Sequence, residues 1–241
     1  MKCADLQEAG SPGSRRCCCP ASAAVPGRVC VFIYLEQFMI PLEVRDVIDA
    51  AVHSVIADAY QRYPNGLESR CAHYAIVGAK CLCRLTGDGF IPVSGSQRIP
   101  LVTGGSHTIT PPQIDLDAAK QLSDLRNYHC WIELPHAESI ERVDFTLRHN
   151  KAACQVLGIS LAQPCAETYA WARLPRQQIG VAQPDERHGY VSCLSRDSQL
   201  TQLLWEFQFE YQQVFEVLTQ QAMQKITEGL ECLCQQAQHG H

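Results

Sequence analysis

The sequence predicts an α+β fold, and three features of the residue order support that prediction. Apolar side chains recur at helical spacing over 42–60 and again over 71–85. Short β-prone pieces bounded by turn residues follow over 90–147. A long helical pattern over 198–236 closes the chain. Helices and strands are thus segregated, which favours α+β over an alternating order with a parallel sheet.

The two N-terminal helices are the most clearly marked elements. Asp46 and Asp49 lie toward the start of the first helix, where the helix dipole is positive. A turn signal over 63–66 separates the two helices, and Gly87 ends the second one. Each has an apolar face, made of Val44, Val47, Ile48, Ala51, Val55 and Ala59 in the first and Ala72, Ala75, Ile76, Ala79 and Leu82 in the second.

The rest of the chain predicts a sheet and a closing helix. A helix is predicted over 152–159, and the stretch 160–197, rich in Pro, Gln, Arg and Gly, is predicted to be mostly irregular. The closing helix has one apolar stripe of the kind that packs in a core, and this stripe is also compatible with a homodimer interface. The predicted antiparallel strands are 90–93, 99–102, 130–134 and 142–147, and the stripe is Leu200, Leu203, Leu204, Phe207, Tyr211, Val214, Val217, Leu218 and Met223.

Length and composition bound the class of protein. The chain has 241 residues, of which 46% are hydrophobic and 19% are charged, which suits a globular protein with a sizeable core. Its net charge is −5, and no basic cluster exceeds a pair, so neither nucleic acid nor an anionic membrane is expected as a partner. No apolar run reaches the roughly 18 residues of a membrane-spanning helix.

The 14 cysteines do not form a disulfide framework, because they are scattered over a long chain. Free thiols in a reducing cytoplasm are therefore expected. No CxxC…CxxC or CxxC…HxxxH pattern is present, so the sequence predicts no structural metal and no other cofactor.

The N-terminal stretch differs from the rest of the chain. Residues 1–38 are rich in Gly, Pro, Ser, Ala and Cys and show neither helical nor strand periodicity. They predict either a disordered tail or a spurious extension, with the natural protein starting at Met39. Residues 39–241 are predicted to form a single domain.

Cys71 is the strongest candidate for a reactive side chain. It opens the second predicted helix, where the positive helix terminus lowers the pKa of a thiol and favours the nucleophilic thiolate. Cys81 and Cys83 lie in the body or last turn of the same helix, where the dipole has the opposite effect. Cys71 is therefore the predicted nucleophile.

A cysteine nucleophile needs a general base and a group that orients the base. His129 begins one predicted strand and Asp144 lies in the next, so a turn between the strands can bring both side chains to one face. Asp144 is flanked by Val143 and Phe145, and a carboxylate in an apolar strand needs a polar partner. An imidazole N–H of His129 would be such a partner for the Asp144 carboxylate.

Three segments together resemble the transglutaminase-like branch of the papain-like cysteine-proteinase superfamily, including an uncharacterised bacterial group with that fold. They are Arg70-Cys71-Ala-His-Tyr-Ala, His129-Cys-Trp-Ile-Glu and Val143-Asp-Phe-Thr, and the resemblance covers about residues 65–150. It implies a papain-like core and a Cys-His-Asp triad that forms an acyl-enzyme. Ala72 follows the cysteine where the family often has a bulky aromatic residue, which is a departure from the pattern.

The resemblance also implies roles for the residues around the cysteine. An amide, peptide or thioester would be the substrate, with water or an amine as acceptor. The backbone N–H of Cys71 and the side chain of Asn65 would stabilise the oxyanion. Trp131 and His73 are candidates for walls of the substrate pocket.

Plainer interpretations of the same residues stay open. Cys71 could be a buried small hydrophobe, His129 a strand-end residue bonded to backbone, and Asp144 a partner of Arg142 or Arg148. The fold could equally serve an inactive binding or scaffold protein. A third hypothesis is a metal site built from Cys71, His73, Cys81 and His129.

Overall fold

A computed structural model describes residues 40–62, 70–100, 106–156, 158, 168–175, 183–184 and 191–239. The fold is α+β, as the sequence predicts. The described residues form helices α1 (Leu42–Arg62), α2 (Arg70–Thr86), α3 (Gln113–Ala118), α4 (Arg148–Val156), α5 (Ser198–Glu210) and α6 (Gln212–His239), with a short 3-10 helix (Leu122–Asp124). The strands are β1 (Ile91–Pro100), β2 (Ser106–Ile109), β3 (His129–Pro135), β4 (Ser139–Asp144), β5 (Ala170–Pro175), β6 (Gln183–Pro184) and β7 (Val191–Arg196).

The seven described strands form one curled antiparallel sheet in the order β5-β4-β3-β1-β7-β6, with β2 also paired to β1. Strand β1 is the centre, because it pairs with β3 through its first half and with β7 and β2 through its second half. At Gly95, β1 is paired with two strands at once, with His129 of β3 on one side and Arg196 of β7 on the other. A Cβ atom at Gly95 would overlap the carbonyl oxygen of Ser195, so only glycine permits this approach.

Helix α2 is the buried axis of the fold, packed between the sheet and helices α1 and α6. Every side chain from Ala72 to Ala79 is buried. A Cβ atom at Gly78 would lie 2.6 Å from the Phe145 ring and 2.7 Å from Ile132 Cδ1. The missing side chain at Gly78 therefore lets α2 lie close against β3, and this contact fixes the start of α2 relative to the sheet.

The ends of α2 agree with the sequence prediction. The helix begins at Arg70, one residue before Cys71, and Gly87 adopts the left-handed conformation with φ of 79° just beyond its end. The Gly87 N–H bonds to the Cys83 carbonyl at 3.0 Å, which satisfies one of the last helix carbonyls. Helix α1 likewise covers the predicted span and continues to Arg62.

Two predictions about the sheet were wrong. The pieces 90–93 and 99–102 were expected to be separate strands, but residues 91–100 form one strand. The polar residues between them looked like a turn, yet Ser94 is buried and its hydroxyl donates to the His129 carbonyl at 2.9 Å. The stretch 160–197 was expected to be mostly irregular, but its described residues contribute β5, β6 and β7. Strand β7 pairs both with nearby β6 and with β1, which is distant in sequence.

The closing helix is also not a single element. Tyr211, with φ of −102° and ψ of 28°, interrupts the predicted helix and separates α5 from α6. The break shifts the helical register, so Val214 and Val217 of the predicted apolar stripe are 48% and 52% exposed. Leu218 of the predicted stripe is buried, and it is joined in α6 by Phe215, Ala222 and Ile226, which the stripe did not include.

All described residues fall within one compact unit. The predicted tail over 1–38 lies outside the described residues. Among the described helices, none combines the length and apolar character needed to cross a membrane.

Candidate active site

Cys71 is the second residue of α2, at the end of the helix that carries unpaired N–H groups. Its side chain is partly exposed, whereas the residues that follow it are buried. Its Sγ lies 3.9 Å from the carbonyl oxygen of Tyr128, the residue before β3. The packing of α2 on β3 thus places the cysteine beside the first residues of that strand.

His129 and Asp144 are joined directly. The His129 Nε2–H donates to Asp144 Oδ2 at 2.7 Å, and both side chains are buried, at 5% and 2% exposure. His129 begins β3 and Asp144 ends β4, and the antiparallel pairing of these strands brings the two residues together. Because Nε2 is used by the carboxylate, Nδ1 is the ring nitrogen left for proton exchange.

Asp144 uses its second oxygen as well. Oδ1 accepts hydrogen bonds from the Thr146 N–H at 2.9 Å and from the Thr146 hydroxyl at 2.6 Å. The arginines that could have been its partners bind elsewhere: Arg142 donates to Glu133 at 3.0 Å, and Arg148 pairs with Asp49. The carboxylate is therefore held between the imidazole and Thr146.

The surroundings shift the pKa of both members of this pair. Burial alone would lower the pKa of His129, but the charge of Asp144 and their hydrogen bond outweigh it and raise the pKa above 6.5. Burial alone would raise the pKa of Asp144, but the His129 charge and the bonds from Thr146 lower it below 3.8. The pair therefore favours an imidazolium beside a carboxylate.

The pKa of the Cys71 thiol is lowered from the ordinary 9.0. The largest cause is a hydrogen bond from the Cys130 thiol, and burial opposes it. The positive charge of His129 and a bond from the Cys130 N–H lower the pKa further. By contrast, burial in the body of α2 raises the pKa of Cys81 to about 12. Of these two thiols on one helix, only Cys71 is activated.

His129 acts on Cys71 through its charge, and among the described contacts no hydrogen bond joins the two side chains. Catalytic hydrogen bonds are often long without substrate and shorten when it binds. The structure therefore places Cys71 beside the start of β3, close to the bonded pair of His129 and Asp144.

Of the other predicted site residues, Trp131 lies beside the site and His73 does not. The Trp131 ring stacks on the His129 ring, with centroids 6.1 Å apart and an interplanar angle of 22°, so it forms a wall behind the imidazole. His73 instead points into the helices, where it contacts Tyr60, Phe207 and Phe215. It is no wall of a Cys71 pocket. Asn65 lies outside the described residues.

Several residues of the site were not predicted from the sequence. Cys130 lowers the pKa of Cys71, the Ser94 hydroxyl donates to the His129 carbonyl, and Thr146 donates to the carboxylate of Asp144. Cys130 directly follows His129, which is the one signal that could have indicated it. Ser94 gave no signal, because its role depends on the pairing of β1 with β3.

A second polar cluster lies along α2, one turn beyond Cys71. The Tyr74 hydroxyl is 2.6 Å from His53 Nδ1 and 3.3 Å from His149 Nε2. Burial lowers the pKa of His149 to about 4 and raises the pKa of Tyr74 to about 12. At neutral pH this cluster is therefore uncharged.

The hypothesis of a metal site finds no support in the geometry. Within the described ranges, no three His, Cys, Asp or Glu side chains are placed to hold a metal ion. His73 and Cys81, two of the four ligands in that hypothesis, point into the apolar core.

Comparisons with known proteins give one structural likeness. No family model matches the chain, and no curated protein matches it either. A crystal structure described as that of a genomics target is similar at a TM-score of 0.49 and 14% sequence identity, over 79% of this chain and 82% of that one.

Proposed function

We propose that this protein is a cysteine-dependent hydrolase or acyltransferase with a papain/transglutaminase-like core. Cys71 is the nucleophile, His129 carries the proton and Asp144 orients the imidazole. The observation that carries the proposal is the 2.7 Å His129–Asp144 bond beside a thiol whose pKa is lowered. Activated thiols with an oriented base are typical of covalent acyl transfer.

The proposal of a papain-like core rests on how helix α2 meets strands β3 and β4. A cysteine at the start of a buried helix lies beside the residue that precedes the strand of His129, and the acid lies on the next strand. This is the arrangement that the resemblance of the three segments implies. The papain-like core is therefore proposed because of this site, since the order of helices and strands by itself shows only an α+β fold.

The reaction follows from the protonation states. The Cys71 thiolate attacks the carbonyl carbon of an amide, peptide or thioester, and the electrons of the C=O bond move onto its oxygen. The backbone N–H of Cys71, in the first turn of α2, donates to that oxygen. The leaving group takes a proton from Nδ1 of His129 as the acyl-enzyme forms. Water or an amine then attacks the acyl-enzyme, His129 accepts its proton, and the thiolate leaves.

Trapping of the acyl-enzyme tests the proposal. Trypsin cuts after Arg70 and Lys80, so Cys71 is the only cysteine of the peptide 71–80. After brief exposure to an activated ester such as p-nitrophenyl acetate and acid quenching, the acyl group should be on that peptide and should disappear on longer incubation.

The matched variants separate catalysis from general thiol reactivity. Cys71→Ala should abolish the acyl peptide, and Cys81→Ala should leave it unchanged. His129→Ala should slow both its formation and its loss. An acyl group spread evenly over several cysteines, or none on 71–80, would favour the inactive binding protein.

A further inference from the structure

We infer that Arg70 is a specificity-determining residue that binds a carboxylate of the substrate close to the acyl group attacked by Cys71. The preferred substrates are then acyl compounds with a free carboxylate near the reacting carbonyl, as in the last peptide bond of a peptide chain. The inference rests on the proposed function, because it names the substrate class of the same nucleophile. Arg70 is the first residue of α2 and directly precedes Cys71.

The aromatic ring of Tyr60 holds the Arg70 side chain at the start of α2. The guanidinium carbon lies 4.7 Å from the centre of the Tyr60 ring, which is a cation–π contact. Tyr60 belongs to α1, is 9% exposed and places its hydroxyl 3.4 Å from His73 Nδ1. Tyr60 thus lies alongside the turn of α2 that contains Cys71. A cation–π contact consumes no hydrogen-bond donor, so the guanidinium N–H groups stay available to a ligand.

The charge of Arg70 is not neutralised within the described part of the fold. Arg70 is exposed, and none of the ion pairs among the described residues includes it. The first turn of α2 has no acidic residue, and both carboxylate oxygens of Asp144 are used by His129 and Thr146. Other arginines do have acidic partners, namely Arg84 with Glu216, Arg142 with Glu133 and Arg148 with Asp49.

An arginine at the first position of α2 is unfavourable for the helix itself. Its charge adds to the positive end of the helix dipole, where an acidic residue would stabilise the helix. Local choices that oppose stability are expected at functional sites. The position of Arg70 next to the nucleophile is therefore better explained by a ligand than by the folding of α2.

The polar cluster of Tyr74, His53 and His149 lies beside Arg70. Residues four apart on a helix are neighbours on its surface, so Tyr74 adjoins Arg70 on α2. The Tyr74 hydroxyl is 2.6 Å from His53 Nδ1, and the His149 ring packs edge-on against Tyr74 with centroids 5.5 Å apart. Burial lowers the pKa of His149 to about 4, and the charge of Arg70 contributes. One cation among neutral hydrogen-bonding groups favours an anionic ligand.

Two thiol reagents of similar size and different charge test the inference. Iodoacetate and iodoacetamide both alkylate the Cys71 thiolate with loss of iodide, but only iodoacetate carries a carboxylate on the reacting carbon. Their rate ratio at one pH does not depend on the thiolate fraction, so a change in the pKa of Cys71 cancels. Arg70→Gln should lower the ratio of the iodoacetate rate to the iodoacetamide rate about fivefold, the upper end for an exposed ion pair. Arg70→Lys keeps the charge and should retain most of the ratio.

Tryptic peptides report the label on Cys71 in every variant. Cys71 is the only cysteine of peptide 71–80, and also of peptide 63–80, which forms in Arg70→Gln because the cleavage site after residue 70 is lost. Arg98→Gln removes one positive charge from an exposed position of β1 and should leave the ratio unchanged. All rates are compared at one ionic strength, since salt screens exposed charges.

The results distinguish this inference from the proposed function. Fast iodoacetamide labelling of Cys71 with a ratio that Arg70→Gln leaves unchanged, or that Arg98→Gln lowers equally, would overturn the inference and leave the proposed function standing. Slow labelling of Cys71 by both reagents in the wild type would remove the basis of the proposed function and of the inference with it.

A measurement on the wild-type protein does not depend on the folding of any variant. Butyrate and butyramide have nearly the same size and shape and differ in charge. At equal ionic strength, butyrate should slow the iodoacetamide labelling of peptide 71–80 more than butyramide does. Equal slowing by both compounds, or none by either, would show that no carboxylate is recognised beside Cys71 and would overturn the inference.

Discussion

At the scale of single residues, the charge of Asp144 sets the state of the imidazole. Asp144→Asn keeps the shape and removes the charge that outweighs burial at His129, so the pKa of His129 should fall. With less imidazolium present, alkylation of Cys71 at neutral pH should slow, but by less than the roughly tenfold that corresponds to one pKa unit. The reason is that the Asp144 charge itself raises the pKa of Cys71, and this effect is removed as well. NMR titration of the His129 ring and peptide-level labelling measure the two effects. Asp49→Asn, which removes the buried partner of Arg148, serves as the control and should change neither.

Thr146 contributes through the second oxygen of Asp144. Thr146→Val preserves volume but removes the hydroxyl that donates to Oδ1 at 2.6 Å. The free energy of unfolding should fall by about 1–3 kcal/mol at pH 7, since a bond to a buried charge is lost. The difference from wild type should shrink at a pH low enough to protonate Asp144. Urea denaturation at both pH values measures this, and a difference independent of pH would contradict it.

At the scale of elements, Gly78 tests how closely α2 packs on the sheet. Helix propensity alone predicts that Gly78→Ala stabilises the protein by about 1 kcal/mol. The 2.6 Å approach of a new Cβ to the Phe145 ring predicts destabilisation by about 1–3 kcal/mol instead. Urea denaturation gives the sign. Gly89→Ala, where nothing lies within 4 Å of the new atom, is the control and should be nearly neutral.

Local sequence patterns were enough to predict helices α1 and α2 and the pairing of His129 with Asp144. They were not enough to predict the contacts that join the site to distant parts of the chain. The spans of α1 and α2 follow from apolar spacing and from Gly87, and the pairing of His129 with Asp144 follows from two adjacent strands. Ser94 is a buried polar residue whose partners lie far along the chain, so its segment resembled a turn. The same holds for the pairing of β7 with β1, which lies about a hundred residues earlier in the chain.

At the scale of the whole molecule, the His129–Asp144 pair makes stability depend on pH. The pKa of Asp144 is lowered on folding, so its contribution is present above about 3.8 and is lost as the pH falls through the folded pKa. The pKa of His129 is raised, so its contribution is present below 6.5 and is lost as the pH rises through the folded pKa. The stability difference between wild type and Asp144→Asn should therefore be largest in the mildly acidic range. Thermal unfolding across pH measures it, and a difference that grows steadily into alkali would contradict the assignment.

The central claim is that the fold activates one thiol, and competitive alkylation of the native protein tests it most directly. At neutral pH with limiting iodoacetamide, Cys71 in peptide 71–80 should be labelled far faster than Cys81, because the pKa of Cys71 is lowered while that of Cys81 is about 12. Peptide 81–84 also contains Cys83, so fragmentation of that peptide locates the label on Cys81 or Cys83. His129→Ala should slow the labelling of Cys71. Labelling of Cys71 no faster than that of Cys81, or a rate that His129→Ala does not change, would contradict the account.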